Sequence, residues 1–325
     1  MPAPSADTRE FDSFGPWVDE VRSPEEVPRL YRDHPLDLAT ARLVLKVPRD
    51  IARRDATPDM DLYDHVLVVR QERLTVLSRD GAVTAPLPAA RRHPGYHEHD
   101  IPVADIAAVS QVVNFLDGWL VIHSRSGDTL RIRFNGSAHT SIDRLVHALT
   151  TETDAAAPGV LGERLLGARP QPGTPSAADL GRQDVALVSD YGDAARRGAD
   201  LTALAWHGRQ VVAPRGSGAL GLARRALHAT SPMTLHGAVL ARTSRTLEVF
   251  TRHEGLIRGK KPVHSSRHIV VPLARLEALT STPHPRYAEV STVDLALGAE
   301  HLTLAVPTDS FAHRLLVTVA LDGSV

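Results

Sequence analysis

Apolar and polar residues alternate over many short stretches of this chain, which is the period expected of β-strands with one buried face. In the first half the alternation predicts a strand within residues 41–51 and a hairpin formed by residues 65–69 and 73–78. Further short strands are predicted at residues 99–103, 106–113, 119–124 and 129–134. Residues 137–149 carry apolar side chains at helical spacing instead, so an amphipathic helix is predicted to follow the strands.

The second half shows the same order of patterns. Strands are predicted at residues 238–241, 246–251, 269–271, 276–281, 289–297 and 301–306, and a helix at residues 309–321. Both halves therefore predict a mainly β fold, with antiparallel strands that end in a helix. Residues 1–16 are polar and rich in small side chains, which predicts a loose tail. Ser23, followed by Pro24 and Glu26, predicts a short helix with a capping box.

A sequence repeat connects the two halves. Residues 56–79 match residues 229–252 without a gap, at a constant shift of 173 positions (229 − 56), with nine identities. Shared composition alone would give about two. The identical pairs are Ala56/Ala229, Thr57/Thr230, Met60/Met233, Leu62/Leu235, Val66/Val239, Leu67/Leu240, Leu74/Leu247, Val76/Val249 and Arg79/Arg252. Residues 101–109 also resemble residues 271–279, so a duplicated structural unit is predicted.

Composition places the boundary between the duplicated units. Residues 151–183 contain four prolines among Ala, Gly and Ser, which is typical of a linker. The predicted organisation is an N-terminal tail with a short helix at 1–40, a first repeat at 41–150, a linker at 151–185 and a second repeat at 186–325.

Net charge and cysteine content exclude several functions. The formal net charge is −1 and the pI is about 7.0, which argues against a general nucleic-acid binder. The chain has no cysteine, so disulfides and thiolate chemistry are excluded. Because no secretory signal or long apolar run is evident, we expect a cytoplasmic protein whose contact with a membrane is at most peripheral.

The strand motifs resemble the bacterial branch of the pleckstrin-homology-like (PH-like) superfold. In the first copy the resemblance depends on residues 73–77, on Ile101-Pro102 with Ile106, and on residues 127–134 before the helix. In the second copy it depends on residues 259–261, 302–306 and Val271-Pro272 with Leu276. The resemblance implies tandem PH-like domains, each a partly open antiparallel barrel capped by a C-terminal helix. It also implies binding of lipids, peptides or protein domains rather than catalysis.

Two basic loops are the candidate sites for an anionic ligand. Several cations on one loop can hold a phosphate. The candidates are Arg258, Lys260, Lys261, His264 and Arg267 in the second copy, with Arg91 and Arg92 in the equivalent loop of the first copy. In lipid-binding members of the superfold a basic loop near the first hairpin has this role. The alternative is a solvated basic loop without a ligand.

A weaker candidate is a metal site around His97 and His99. In an extended chain these two imidazoles lie on one face, where His93 or Asp100 could join them around a divalent ion. So short a spacing is unspecific, and the second copy has Arg267 at the place of His97.

A glycine-rich stretch offers an alternative enzymatic function. Gly216, Gly218 and Gly221 follow an apolar run and open a helical stretch, which is the pattern of a dinucleotide-binding loop. Arg242 ends the next strand, where it would suit a 2′-phosphate and thus an NADP-type oxidoreductase. Against this, residues 229–252 belong to the repeat, and a flexible glycine turn explains the pattern equally.

The sequence therefore predicts a non-enzymatic adaptor or scaffold with a protein partner, and with an anionic lipid headgroup as a further ligand. No cofactor and no nucleic acid are expected. The alternatives are the NADP-type oxidoreductase and an oligomerisation module, because open edges of short strands can pair with another chain. No combination of Ser, His and an acid indicates acyl transfer.

Overall fold

The computed structural model describes residues 6–82, 90–152, 156–198, 200–215, 231–258 and 264–321. The chain divides into two compact units. The first comprises residues 1–124 and 128–155, and the second comprises residues 125–127 and 156–325.

Antiparallel strands form most of the first unit. They are β1 (Asp19–Glu20), β2 (Leu43–Pro48), β3 (Tyr63–Val69), β4 (Arg73–Arg79), β5 (Arg91–His93), β6 (Tyr96–Pro102), β7 (Ile106–Asn114), β8 (Asp117–Ser124) and β9 (Thr129–Asn135). The order of pairing is β1-β2-β3-β4-β6-β5, and β7, β8 and β9 pair in sequence. Helix α1 (Ala6–Ser13) precedes the strands and α2 (His139–His147) follows them.

The second unit also consists of antiparallel strands that are followed by a closing helix. Its strands are β10 (Thr202–His207), β11 (Gln210–Val212), β12 (Met233–Leu235), β13 (Ala238–Arg242), β14 (Thr246–Thr251), β15 (Leu256–Arg258), β16 (Ser266–Pro272), β17 (Ala278–Pro283), β18 (Val290–Leu297) and β19 (Glu300–Pro307). The pairing orders are β10-β13-β14-β16, β11-β12-β15 and β17-β18-β19. Its helices are α3 (Val160–Gly167), α4 (Ala177–Leu180), α5 (Val185–Arg197) and α6 (Phe311–Leu321).

The expectation of a mainly β fold with antiparallel sheets and a few helices is confirmed. Among the strands that the structure describes, no sheet closes on itself as a barrel. No helix within the described ranges is long and apolar enough to cross a bilayer.

The repeat in the sequence corresponds to equal strand registers in the two units. The equivalent partners are Val66–Leu77 and Val239–Phe250 in the hairpins, and Leu74–Ile101 and Leu247–Val271 in the next strand pair. Because a slip by one residue would turn every side chain to the opposite face, equal registers mean that equivalent residues face the same way.

Residues 6–41, here called the N-terminal segment, cover one face of the sheet β1-β2-β3-β4-β6-β5, which we call the first sheet. The strand residues Val66 to Val69 are all apolar and fully buried, which is the pattern of a sheet covered on both faces. Tyr31 packs on this face, and its hydroxyl donates to the carbonyl of Asp64 at 2.8 Å. The structure thus differs from the expected loose tail, because α1 and the buried Phe14 belong to the packed segment.

The predicted capping box at the second N-terminal turn is not formed. Residues Pro24–Glu26 make a single 3₁₀ turn, and Ser23 caps nothing with its side chain. The carboxylate of Glu26 instead accepts a hydrogen bond from the backbone amide of Arg22 at 2.7 Å. In the second unit, α4 and α5 cover the equivalent sheet face, where Leu187 packs in one cluster with Trp206 and Phe250.

Candidate functional site

The first basic loop contains β5, a short strand at the edge of its sheet. Arg91 and Arg92 are both exposed there. The guanidinium of Arg91 lies 3.5 Å from a carboxylate oxygen of Glu98 on the neighbouring strand. This carboxylate offsets part of the positive charge of the loop.

The second basic loop connects β15 to β16. Arg258 ends β15 and is exposed, as is His264 at the other end of the loop, whereas Arg267 is half-buried within β16 opposite Thr251. Lys260 and Lys261 lie outside the described residues. The described part of this loop therefore offers two exposed candidates for an anionic ligand, Arg258 and His264, which flank the two lysines in the sequence.

The glycines of the dinucleotide pattern, Gly216, Gly218 and Gly221, also lie outside the described residues. Arg242, which the same hypothesis assigns to a 2′-phosphate, ends β13 as predicted. Its guanidinium donates a hydrogen bond of 2.7 Å to the carbonyl of Leu165 near the end of α3. Burial lowers the pKa of Arg242, and the side chain satisfies a carbonyl at a helix C-terminus.

His97 and His99 project from β6 to one face of the sheet, with ring centroids 6.4 Å apart. His97 contacts Asp80 through Nε2 at 3.1 Å. His99 is buried, and neither of its ring nitrogens has a hydrogen-bond partner in the described part of the chain. Burial, and secondarily the neighbouring His97, lowers the pKa of His99, so its ring is neutral at neutral pH.

His65 lies on the same face and is also buried as a neutral ring. Its Nδ1 is 2.9 Å from the hydroxyl of Ser78, and burial lowers its pKa to about 3. In the unfolded chain the imidazole takes up a proton below about pH 6.5. The stabilisation from neutral His65 is therefore complete above that pH and is lost as the pH falls toward 3.

This titration gives a measurable prediction. As the pH falls from 7 to 5, protonation of His65 in the unfolded chain is expected to lower the free energy of unfolding by about 2 kcal/mol. Urea unfolding at both pH values should show a pH dependence smaller by that amount in His65→Gln than in the parent. His301→Gln, at an exposed histidine, provides the control for the general effect of replacing a histidine. Equal pH dependence in His65→Gln and the parent would contradict the prediction.

His34, His93 and Glu98 bring three metal-binding side chains together on the opposite face of the sheet. One ligand atom from each lies within 4.8 Å of the other two. Nε2 of His93 is 2.9 Å from a carboxylate oxygen of Glu98. Burial lowers the pKa of His34, which keeps this ring in the neutral form that can donate a lone pair. We call this group the His–His–Glu cluster.

The sequence indicated His93 as a candidate metal ligand, but it did not indicate His34 or Glu98 as ligands. His34 comes from the N-terminal segment, 59 positions before His93 (93 − 34), so no local spacing links them. The alternation of side chains along β6 could have separated Glu98 from the two histidines, because it places Glu98 on the face opposite His97 and His99.

Asp184 and Arg252 form a buried ion pair in the second unit. Nε of Arg252 lies 3.0 Å from Asp184, and its other nitrogens donate to the carbonyls of Gln183 and Ser265. Burial by itself raises the pKa of Asp184. Contacts with His236, the backbone amide of Gly237 and Arg252 outweigh that effect and lower the pKa to about 2. The side chains of Asp184, His236 and Arg252 are at most 3% exposed, so the pair holds the unit together rather than meeting a ligand.

Within the described ranges, three serine–histidine pairs have side-chain atoms at hydrogen-bonding distance, as a serine nucleophile and its base would require. Ser78–His65 and Ser110–His123 are buried at 2.9 and 3.1 Å. Ser281 lies 3.0 Å from Nε2 of the half-buried His313, whose Nδ1 accepts from the backbone amide of Asp309. Since Nδ1 is an acceptor, Nε2 carries the proton and donates to Ser281. In this arrangement His313 cannot remove the serine proton.

Comparison with protein-family models, with curated proteins and with solved structures found no match to this chain. The function must therefore be inferred from the chain's own residues.

Proposed function

We propose that the chain is a non-enzymatic adaptor built from two PH-like modules, and that its second module binds an anionic ligand through residues 258–268. The order of elements supports the module type. In each unit a group of four paired antiparallel strands precedes three paired strands and a helix, which are β2-β3-β4-β6, β7-β8-β9 and α2 in the first unit. Antiparallel strands that end in a C-terminal helix are what the resemblance to the superfold implies.

Exposed arginines in the corresponding connection of the two units are the observation that carries the proposal, although the two short strands pair differently, β5 with β6 and β15 with β12. Arg91 and Arg92 lie on β5, and Arg258 lies on β15. Each of these short strands comes immediately before the strand that pairs with the repeated hairpin. Exposed cations in a surface loop favour anion binding, to a degree set by the net charge of each loop.

Charge distinguishes the two loops and indicates the second as the stronger anion site. Residues 258–268 contain four Lys or Arg and no acid, for a formal charge of +4 (4 − 0). Residues 91–99 contain two arginines and Glu98, for a charge of +1 (2 − 1). Glu98 is also close enough to Arg91 to compete with an external anion. The ligand that fits the second loop is a phosphate-bearing molecule, such as a lipid headgroup at a membrane surface.

Binding to vesicles tests this proposal. We expect the protein to cosediment with vesicles containing phosphatidylserine and not with phosphatidylcholine alone. The variant Arg258→Ala/Lys260→Ala/Lys261→Ala should bind about 100-fold more weakly, since each cation near an anionic surface contributes about 1 kcal/mol. We leave Arg267 unchanged because it is half-buried in a strand.

The first loop provides the matched control. Arg91→Ala/Arg92→Ala also removes exposed arginines from a short edge strand, but we expect it to change vesicle binding by less than about threefold. Absence of binding by the parent protein, or equal loss in both variants, would contradict an anion site in the second loop.

A further inference from the structure

We propose that His34, His93 and Glu98 form a binding site for a divalent transition metal, with Zn²⁺ as the ion. The site would have two imidazole nitrogens and one carboxylate oxygen, and solvent would complete the coordination. It lies in the first unit and is independent of the anion site proposed for the second.

The distances between the donor atoms fit a common ion. Nitrogen and oxygen ligands lie about 2.0–2.2 Å from zinc, so neighbouring ligands in a tetrahedral site are about 3.3 Å apart. Nε2 of His93 and Oε2 of Glu98 are already 2.9 Å apart, and the donor atom of His34 is within 4.8 Å of both. Binding would draw the donor atom of His34 closer to the other two by at most about 1.5 Å (4.8 − 3.3).

Neighbouring side chains hold the three ligands in position. The ring of His93 stacks on Tyr96 with a centroid distance of 4.7 Å and an interplanar angle of 7°. The hydroxyl of Tyr96 is 3.1 Å from Nδ1 of His34, which leaves Nε2 of His34 for the metal. Tyr96 itself packs edge-on against the buried Tyr31. Such contacts behind the ligands fix ring orientation and are a usual feature of metal sites.

The donor set determines the class of metal. Two imidazoles with one carboxylate suit zinc and its neighbours, whereas Ca²⁺ and Mg²⁺ require mostly oxygen ligands. His34 belongs to the N-terminal segment, while His93 and Glu98 belong to β5 and β6. A bound ion would therefore fix the N-terminal segment to the sheet that it covers.

The second unit contains a matched pair that lacks the third donor. His268 lies 2.8 Å from Glu248 and stacks on Phe250 at 4.3 Å, much as His93 meets Glu98 and stacks on Tyr96. In the described part of the chain, no third His, Asp or Glu donor completes a metal-binding group there. His268 is therefore the internal control for a histidine–glutamate pair that does not bind metal.

Isothermal titration of the full, untagged and chelator-stripped chain with ZnCl₂ tests the site. We expect one tight equivalent of Zn²⁺, and at least a 30-fold weaker affinity in His93→Gln and in His34→Gln. His268→Gln should retain the affinity of the parent. Thermal unfolding of each metal-free variant separates loss of binding from loss of folding, and the Co²⁺-substituted parent should show the visible absorption of a four-coordinate site.

Three results would overturn the proposal. The first is a parent protein without a stoichiometric Zn²⁺ equivalent. The second is unchanged affinity in both His93→Gln and His34→Gln. The third is an equal loss in His268→Gln, which would indicate adventitious binding by the chain's 17 histidines.

Discussion

Asp184→Asn is expected to lower the free energy of unfolding by about 3–5 kcal/mol, because it leaves the guanidinium of Arg252 buried without a counter-charge. Arg252 is 3% exposed and Asp184 is 1% exposed, so water cannot replace the lost carboxylate. Chemical unfolding at pH 7, followed by circular dichroism, measures the loss. The carboxylate has a pKa of about 2 when folded, against 3.8 ordinarily. Its stabilisation is thus present above about pH 4 and declines as the pH falls toward 2.

The first unit supplies the control for this prediction at the equivalent position of the repeat. Arg79, which aligns with Arg252, lies 2.7 Å from Asp64, but both side chains of this pair are about one-fifth exposed. Solvent can therefore reach the arginine in Asp64→Asn, and we expect a loss of about 1 kcal/mol or less. Equal losses in Asp64→Asn and Asp184→Asn would show that burial of the second ion pair does not have the effect we assign to it.

Tyr31→Ala is expected to destabilise the first unit by about 3–5 kcal/mol, since truncation of a fully buried aromatic ring leaves a cavity. The ring lies between the N-terminal segment and the first sheet, where it packs on Tyr96 and on Val66 and Val68. Thermal and urea unfolding of the variant, monitored by circular dichroism, measure the effect. A large loss is expected because the N-terminal segment is part of the folded unit.

Two further substitutions separate the causes of that loss. Tyr31→Phe removes only the hydrogen bond to the carbonyl of Asp64, so about 1 kcal/mol is expected. Trp17→Ala removes a ring that is 55% exposed, and we expect a change within about 0.5 kcal/mol. If Tyr31→Ala were as mild as Trp17→Ala, the N-terminal segment would not be packed as described.

Local patterns predicted most of the strands and both closing helices. The hairpin expected at residues 65–69 and 73–78 forms as Tyr63–Val69 and Arg73–Arg79, and the last helix, expected at 309–321, forms as Phe311–Leu321. These features depend on periodicity over a few residues, which the sequence displays directly. The PH-like character of the two units stays a prediction from motifs and element order.

Packing partners that are distant in sequence were not predictable in this way. The N-terminal segment that packs on the first sheet is mostly polar, which is why its sequence predicted a loose tail. Its packing depends on a few apolar residues such as Phe14 and Tyr31, which are buried. The unbroken apolar run from Val66 to Val69 was the available signal, since a strand without alternation needs cover on both faces. The His–His–Glu cluster was missed for the same reason, as it forms only once that cover is in place.

Nuclear magnetic resonance of the isotope-labelled full chain tests the central claim, an anion site in the second unit, most directly. The probe is inositol 1,4,5-trisphosphate, a soluble phosphate-bearing headgroup. We expect saturable shifts of backbone amide signals within residues 256–268, lost at high salt, with the signals of residues 91–99 unchanged. Shifts confined to residues 91–99, or no saturable shift in residues 256–268, would contradict it.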